Sequence, residues 1–289
     1  MESSFNINSE LRSFSKRPLK RHGQNFLKDV SVCKQIVKNI RIENGSRVVE
    51  IGPGLGILTN ELLQAGFRVK AVEIDADLVD YLQNRFENVE KDRIEIVNQD
   101  AVRLIREGGL GDNPYIVSNL PYNISSSLMG ELLDSIDLSK GTRGFSEAII
   151  MFQREFGERL VAGPGSKTYG KISAMFSLKM EHEVLFKVSR TKFFPQPKVD
   201  GIVLRFRPNR EPSCIPSDDS VLRKVLTVAF INRRKMLRNS LNPHSIDVDI
   251  SDDEMLGILE SRGISDRRPE TLGPCDFVEL SNLFVEASR

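Results

Sequence analysis

A chain of 289 residues is long enough for two domains of ordinary size, and 39% apolar with 28% charged residues is the make-up of a soluble globular protein. No stretch approaches the ~20 apolar residues of a membrane span, and the polar N-terminus, MESSFNINSELRSFSKRPLKRHGQ, lacks the apolar core and small-residue cleavage site of a secretory signal. The net charge is only +1, so any nucleic-acid role has to rest on local basic clusters.

The first cluster, Arg12, Lys16, Arg17, Lys20 and Arg21, makes residues 1–20 a flexible basic leader. Beyond it, RVVEIG (47–52), RVKAVEI (68–74), RIEIVNQ (93–99), YIVSN (115–119) and EAIIMF (147–152) are short apolar runs of the kind that form buried strands. LTNELLQA and DLVDYLQNRFENV between them have helical spacing, with Leu78, Leu82, Arg85 and Phe86 on one face of the second. Strand alternating with helix predicts a parallel sheet covered on both sides. VLFKVSR (184–190) and GIVLRFR (201–207) follow without a helical pattern between them and predict an antiparallel addition at the sheet edge. NREPSCIPSDDS (209–220) gathers Pro, Ser and Asp and marks a boundary. After it Leu222, Val225, Leu226, Ala229 and Phe230 form a helical stripe, and DDEMLGILESRG predicts a capped helix ending at Gly263. The expected organisation is therefore an α/β domain over 21–210 and a small all-helical domain over 219–289.

A second basic cluster, Arg223, Lys224, Arg233, Arg234, Lys235 and Arg238, has no acidic residue between its members; taken alone it reads as a solvated helix face. Cys33, Cys214 and Cys275 are far apart and odd in number, which predicts no disulfide framework and fits a reducing cytoplasm. His22, His182 and His244 are scattered, and without CxxC or HExxH no metal site is expected.

The first strand runs into GPGLG, with Glu50 leading in and Gly52, Gly54 and Gly56 making the turn. Glycine lets a ligand lie against bare backbone, and the helix that follows offers free amides. The second strand ends in Glu73, placed to accept both hydroxyls of a ribose, and the third leads to Asp100, placed to accept from an adenine amino group. A nucleoside without a pyrophosphate fits this set, and S-adenosylmethionine is such a ligand. The fourth strand ends in Asn-Leu-Pro-Tyr at the same crevice. Pro121 has no amide hydrogen and holds Leu120 extended, leaving the Leu120 carbonyl outside any helix. With the Asn119 side-chain carbonyl it makes two acceptors for a planar amine. Gripping both hydrogens of an adenine amine localises its nitrogen lone pair, so positioning and electrostatics carry the chemistry. Tyr122 offers a ring on which an unpaired or flipped base can stack.

These motifs, with GQNFLKD (23–29), MFQREFGERL, GSKTYGKIS, FFPQPKVDG and FINRRKMLRNSL, stand in the order found in the small-subunit rRNA adenine dimethyltransferases, the kasugamycin-sensitivity methyltransferases of bacteria, which the chain resembles from about residue 20 to its end. The resemblance implies a Rossmann-like S-adenosylmethionine-dependent methyltransferase sheet, parallel with an antiparallel edge hairpin, plus a helical C-terminal RNA-binding domain. It implies two adjacent adenines in a hairpin loop near the 3′ end of 16S rRNA as targets, each methylated twice, with S-adenosylhomocysteine as by-product and no metal. The expected partner is the immature small ribosomal subunit, met by a cytoplasmic monomer. By match to the family pattern, Asn25, Leu27, Gly52, Gly54, Glu73, Asp100 and Asn119 would bind cofactor. Asn119, Leu120 and Tyr122 would hold the target, with Phe193 stacked on the base's other face. His22, Asn232 and Gly201 depart from that pattern. A 23S rRNA or DNA adenine methyltransferase would share the fold and cofactor motifs, and a non-catalytic RNA-binding assembly factor would keep the fold alone.

Overall fold

The computed structural model describes residues 25–121, 123–141 and 144–289. The basic leader, His22 and Tyr122 lie outside the described residues.

The chain divides into two compact units. The first runs to Leu132 and adds Gly144–Arg154 and Glu183–Phe206; the second combines Leu133–Arg143, Glu155–His182 and Arg207–Arg289. The second unit therefore takes in more of the chain than the residues after 210. Two stretches of the expected α/β domain, 133–143 and 155–182, belong with the helical unit instead.

In the first unit the expected strands are all present: β2 (Arg47–Ile51), β3 (Arg68–Glu73), β4 (Ile94–Asn98), β5 (Tyr115–Asn119) and β6 (Glu147–Gln153). They form a seven-stranded sheet in the order β4-β3-β2-β5-β6-β9-β7, with β7 (Met180–Val188) and β9 (Gly201–Pro208) completing one edge. The first five pair in parallel and β9 runs antiparallel to β6, as the two patternless strands suggested. Val48, Ile51, Ala71, Val72, Ile116, Val117, Ile149 and Ile150 are buried. Strands covered on both faces carry unbroken apolar runs, which is why these segments do not alternate. A separate ribbon pairs β1 (Phe26–Leu27) antiparallel with β8 (Phe193–Phe194), Phe26 opposite Phe194 and Leu27 opposite Phe193.

The helices of this unit begin at the carboxyl ends of the strands. The sequence pattern missed α1 (Val30–Lys38), which is capped by the Asp29 side chain accepting from the Ser31 amide at 2.9 Å. Helix α2 (Ile57–Gln64) starts from Gly56; α3 (Ala76–Arg85) is capped by Asp75 and buries Leu78 and Leu82; α4 (Ala101–Arg106) is capped by Asp100. Helix α5 (Ser125–Asp134) follows the Asn-Leu-Pro-Tyr segment.

The second unit holds α6 (Arg154–Leu160) from Glu155 onward, α7 (Lys171–Lys179), α8 (Asp219–Ile231), the short α9 (Pro243–Ile246), α10 (Asp252–Ser261) and α11 (Pro274–Ala287). The predicted stripe on α8 is buried through Leu222, Val225, Leu226 and Ala229. Its last ring, Phe230, lies 5.6 Å from Phe277 and 5.7 Å from Tyr169, measured between centroids. Helix α10 has the predicted cap, a Ser251–Glu254 capping box, and Gly263 takes a left-handed φ of 63° just past its end. Inside this unit Lys179 is fully buried. Its ammonium donates to the carbonyls of Leu133 (3.1 Å) and Ile136 (2.5 Å) and pairs with Asp219 at 2.9 Å.

The cysteine expectation is corrected here. Cys214 and Cys275 are joined by a disulfide, with Cα atoms 5.7 Å apart, tying the segment before α8 to the start of α11. Sequence separation of 61 hides a spatial neighbour, and an odd count does not preclude one bond beside the buried, unpaired Cys33.

Candidate active site

The glycine turn makes the wall of the cleft. Gly52 has a φ of 66°, and a Cβ there would meet Pro121 Cδ at 3.2 Å. The turn that begins the cofactor motif therefore packs directly against the proline of Asn-Leu-Pro-Tyr. Gly56, at φ 73°, leaves no room either: a Cβ would stand 2.8 Å from Leu82 and from Phe86. Both glycines are consequences of packing as much as of ligand access.

Around this turn lies an open cleft enclosing about 520 Å³. Six of the seven expected cofactor residues line it: Asn25, Leu27, Gly52, Gly54, Glu73 and Asn119. Phe26, Glu50 and Pro121 join them. The β1 ribbon thus carries GQNFLKD to the glycine turn, where Phe26 covers Gly54.

Glu73, 4% exposed, ends β3 and points back over the turn. Its Oε1 accepts from the amides of Ile74 (2.9 Å) and Asp75 (3.1 Å), and its Oε2 accepts from Gly54 at 3.4 Å. Burial raises this carboxyl above its ordinary value, while the three amides act in the opposite direction. Glu50 is more extreme. It is 1% exposed, its Oε2 accepts from the Thr59 hydroxyl at 2.6 Å, and burial, with a further push from Glu73, takes it up to about 8. Two carboxyl side chains, each nearly buried, thus line one open cleft, a setting that suits a hydroxyl-bearing ligand. Sequence reading treated Glu50 only as a lead-in to the turn. Ile74, which follows Glu73, is 57% exposed and adds an apolar surface next to it. A large aliphatic at a strand end was the only signal for it.

Asn119 is the last residue of β5 and reaches the same cleft. Below it, Ser118 Oγ donates to the Ile51 carbonyl at 2.5 Å, locking the ends of β5 and β2 together. Leu120 is different: its side chain is buried and its amide donates to the Met151 carbonyl at 3.3 Å, so only its own carbonyl is available for the expected role. The Pro121 carbonyl accepts from the Ile124 amide at 3.2 Å and starts the next turn.

Two expected site residues are placed elsewhere. Asp100 is exposed and is not among the residues lining the cleft; its Oδ1 caps α4 by accepting from the amides of Val102 (2.8 Å) and Arg103 (3.4 Å). Phe193 is 1% exposed and packs into the apolar core with Leu27, and it does not line the cleft. Successive residues of a strand face opposite sides, and here Phe193 takes the inner side while Phe194 is 41% exposed. The basic run of the second unit also differs from expectation. Arg223 pairs with Asp134 and Asp219, Lys224 with Asp247, Arg233 with Glu270 and Arg238 with Asp266. Only Arg234 and Lys235 of that cluster have no acidic partner among the described residues.

A match to the ribosomal RNA adenine dimethylase family covers residues 16–270. The chain belongs to that family. It is 39% identical over 268 residues to the ribosomal RNA small subunit methyltransferase A of Syntrophotalea carbinolica, covering 92% of this chain and 97% of that one. The protein of the same name from Geobacter sulfurreducens is 38% identical over 276 residues, covering 94% and 96%. Among solved structures, the dimethyladenosine transferase of Plasmodium falciparum superposes with a TM-score of 0.71 at 24% identity, over 88% of this chain and 95% of that one. The 23S rRNA methyltransferase ErmE gives 0.60 at 22% identity, over 90% and 99%. At these identities the likeness is one of fold, and it agrees with the sheet expected of a methyltransferase.

Dimethylases of this family need a methyl donor, and the cleft residues fit S-adenosylmethionine. Gly52 and Gly54 present backbone to the cleft, and the carboxyls of Glu73 and Glu50 line it beside them. Among the described residues no group of His, Cys, Asp and Glu could hold a metal ion, and no helix is long and apolar enough to cross a membrane.

Proposed function

We propose that this protein dimethylates the exocyclic amines of two adjacent adenosines in the 3′-terminal hairpin loop of 16S rRNA, acting as a cytoplasmic monomer on the immature small subunit. The observation that carries the reading is the contact between Gly52 and Pro121, which joins the cofactor turn and the Asn-Leu-Pro-Tyr segment into one cleft. The names of the relatives, all small-subunit methyltransferases, favour this target over 23S rRNA.

Glu73 would exchange its amide partners for the ribose hydroxyls of the cofactor, while Gly52 and Gly54 let the ligand lie on the backbone. Asn25 and Leu27 would close the near side, and Asp100, from the neighbouring strand end, would accept from the adenine amino group. When bound, S-adenosylmethionine supplies an electrophilic methyl group on a sulfonium. The Asn119 side-chain carbonyl and the Leu120 main-chain carbonyl would accept the two hydrogens of the target amine. That grip draws the nitrogen towards tetrahedral geometry and localises its lone pair for attack. Tyr122, next in sequence after Pro121, would stack on the unpaired base.

The test is to supply labelled S-adenosylmethionine with immature small subunits and map the product by primer extension. Stops at two adjacent adenosines near the 3′ end of 16S rRNA are expected. Label in 23S rRNA alone, or none, would remove the proposal.

A further inference from the structure

The β1–β8 ribbon has two faces with different fates. Leu27 and Phe193 are opposed and buried in the core, where Leu27 also reaches the cleft. Phe26 and Phe194 are the other opposed pair, and residues directly across an antiparallel pair project to the same side, with Cβ atoms about 5 Å apart. Phe26 covers Gly54 and lines the cleft. Phe194 therefore projects from the same side of the ribbon as Phe26, but it is 41% exposed and does not line the cleft itself. Few large apolar side chains among the described residues are as exposed.

Its surroundings are basic. The Lys28 amide donates to the Lys192 carbonyl at 2.9 Å, bringing Lys28 alongside β8. Lys28 and Lys198 are exposed, and neither has an acidic partner among the described residues. Lys192 is tied to Asp29. An exposed ring with exposed lysines just past the paired strand and four residues along the chain suits a single nucleic-acid strand, because its bases offer π-faces and its phosphates offer negative charge.

We infer that Phe194 stacks on an unpaired base adjoining the target adenine, with Lys28 and Lys198 beside the flanking phosphates. This deepens the proposed function and rests on it. The target's amine has to reach Asn119, which lines the cleft, whereas Phe194 is exposed and does not line it; the base it meets is therefore a neighbour of the target. The residue is a substrate-binding one that selects the loop, and it takes no part in the methyl transfer.

The experiment compares Phe194→Ala and Phe194→Trp with the unaltered protein. Methylation of immature small subunits gives KM and kcat. Binding is read with the 3′-terminal 16S hairpin carrying 2-aminopurine beside the target adenines, whose fluorescence falls when the base stacks. Phe194→Ala should raise KM about 5- to 150-fold with a smaller change in kcat, and abolish the quench. Cofactor affinity and thermal unfolding should not move, since the side chain is exposed, and Phe194→Trp should restore both KM and quench. If Phe194→Ala keeps the unaltered KM and quench, the inference falls while the methyltransferase reading stands. If the unaltered protein modifies no adenosine in the small subunit, the broader reading falls; a quench lost in Phe194→Ala would still support base stacking, and an unchanged one would overturn it.

Discussion

The cofactor cleft and the interior of the second unit both bury charged side chains, and they satisfy them differently. Around the cleft the partners are neutral: Glu73 is held by the amides of Gly54, Ile74 and Asp75, and Glu50 by the Thr59 hydroxyl. In the second unit Lys179 is held by two carbonyls and a carboxylate, and that carboxylate, Asp219, also receives Arg223 at 2.6 Å. Neutral partners leave a carboxyl free to exchange them for a ligand's hydroxyls. Charged partners lock a fold in place, because losing either one strands the other in a poorly solvated site. The first arrangement serves binding and the second serves shape.

The sharpest test of that contrast lies in the second unit's crosslink. Cys275→Ser should lower stability by up to about 4 kcal/mol, the entropy of closing a loop of 61 residues, and leave cofactor affinity unchanged. Denaturant midpoints with a cofactor titration check it, and a loss of affinity would break the division of labour. In the cleft, Asn119→Ala should cut kcat roughly 10²- to 10³-fold, as removal of one preorganised electrostatic contact does, with cofactor binding largely kept. Equal turnover in single-turnover assays would eliminate the grip on the target amine. Lys179→Met should cost about 3 kcal/mol, near the low end for a broken buried pair because Arg223 still faces Asp219. Urea unfolding measures this, and an unchanged midpoint would show that the pair is dispensable.

Smaller effects return to the cleft. Glu73→Ala should weaken cofactor binding about 10- to 100-fold, the range for hydrogen bonds to a charged group, with little effect on kcat at saturation. Calorimetry on the isolated protein decides it. The pH dependence follows from Glu50, whose carboxyl rises from an ordinary 4.5 to about 8 on folding. Between those values the folded chain holds the extra proton, so its contribution to stability is complete below about pH 4.5 and is lost as the pH rises to about 8. The slope is at most about 1.4 kcal/mol per pH unit. Glu73, also raised, acts in the same direction. Glu50→Gln should flatten the fall in urea midpoint across this window; parallel profiles for the two proteins would refute the assignment.

Much of the first unit was legible because its physics is local. Parallel strands covered on both faces write themselves as apolar runs, and the glycine turn, Glu73 and Asn119 each follow the end of such a run. The sequence suggests that the third strand ends in Asp100; the strand closes at Asn98, and Asp100 caps the helix that follows. Phe193 and Phe194 are neighbours, and the sequence does not say which of them turns inward. Strands of two residues are too short to reveal which ring faces the core. Helix α7 left no signal since Ser173, Ala174, Met175, Phe176, Leu178 and Lys179 are all buried, and a helix covered on most sides has no polar stripe. The pairing of the basic run was hidden too, as its acids stand far along the chain: Asp247 lies 23 residues from Lys224 and Glu270 lies 37 from Arg233.

The space at Gly52, where an added Cβ would stand 3.2 Å from the Pro121 Cδ, sets a limit on redesign. An engineer who wished to transplant the Asn-Leu-Pro-Tyr tetrapeptide onto another methyltransferase scaffold would have to carry the glycine turn along with it. Any side chain at the first glycine would push the proline outward and shift the carboxamide at 119 off its aim. The smallest portable unit is the two loops together.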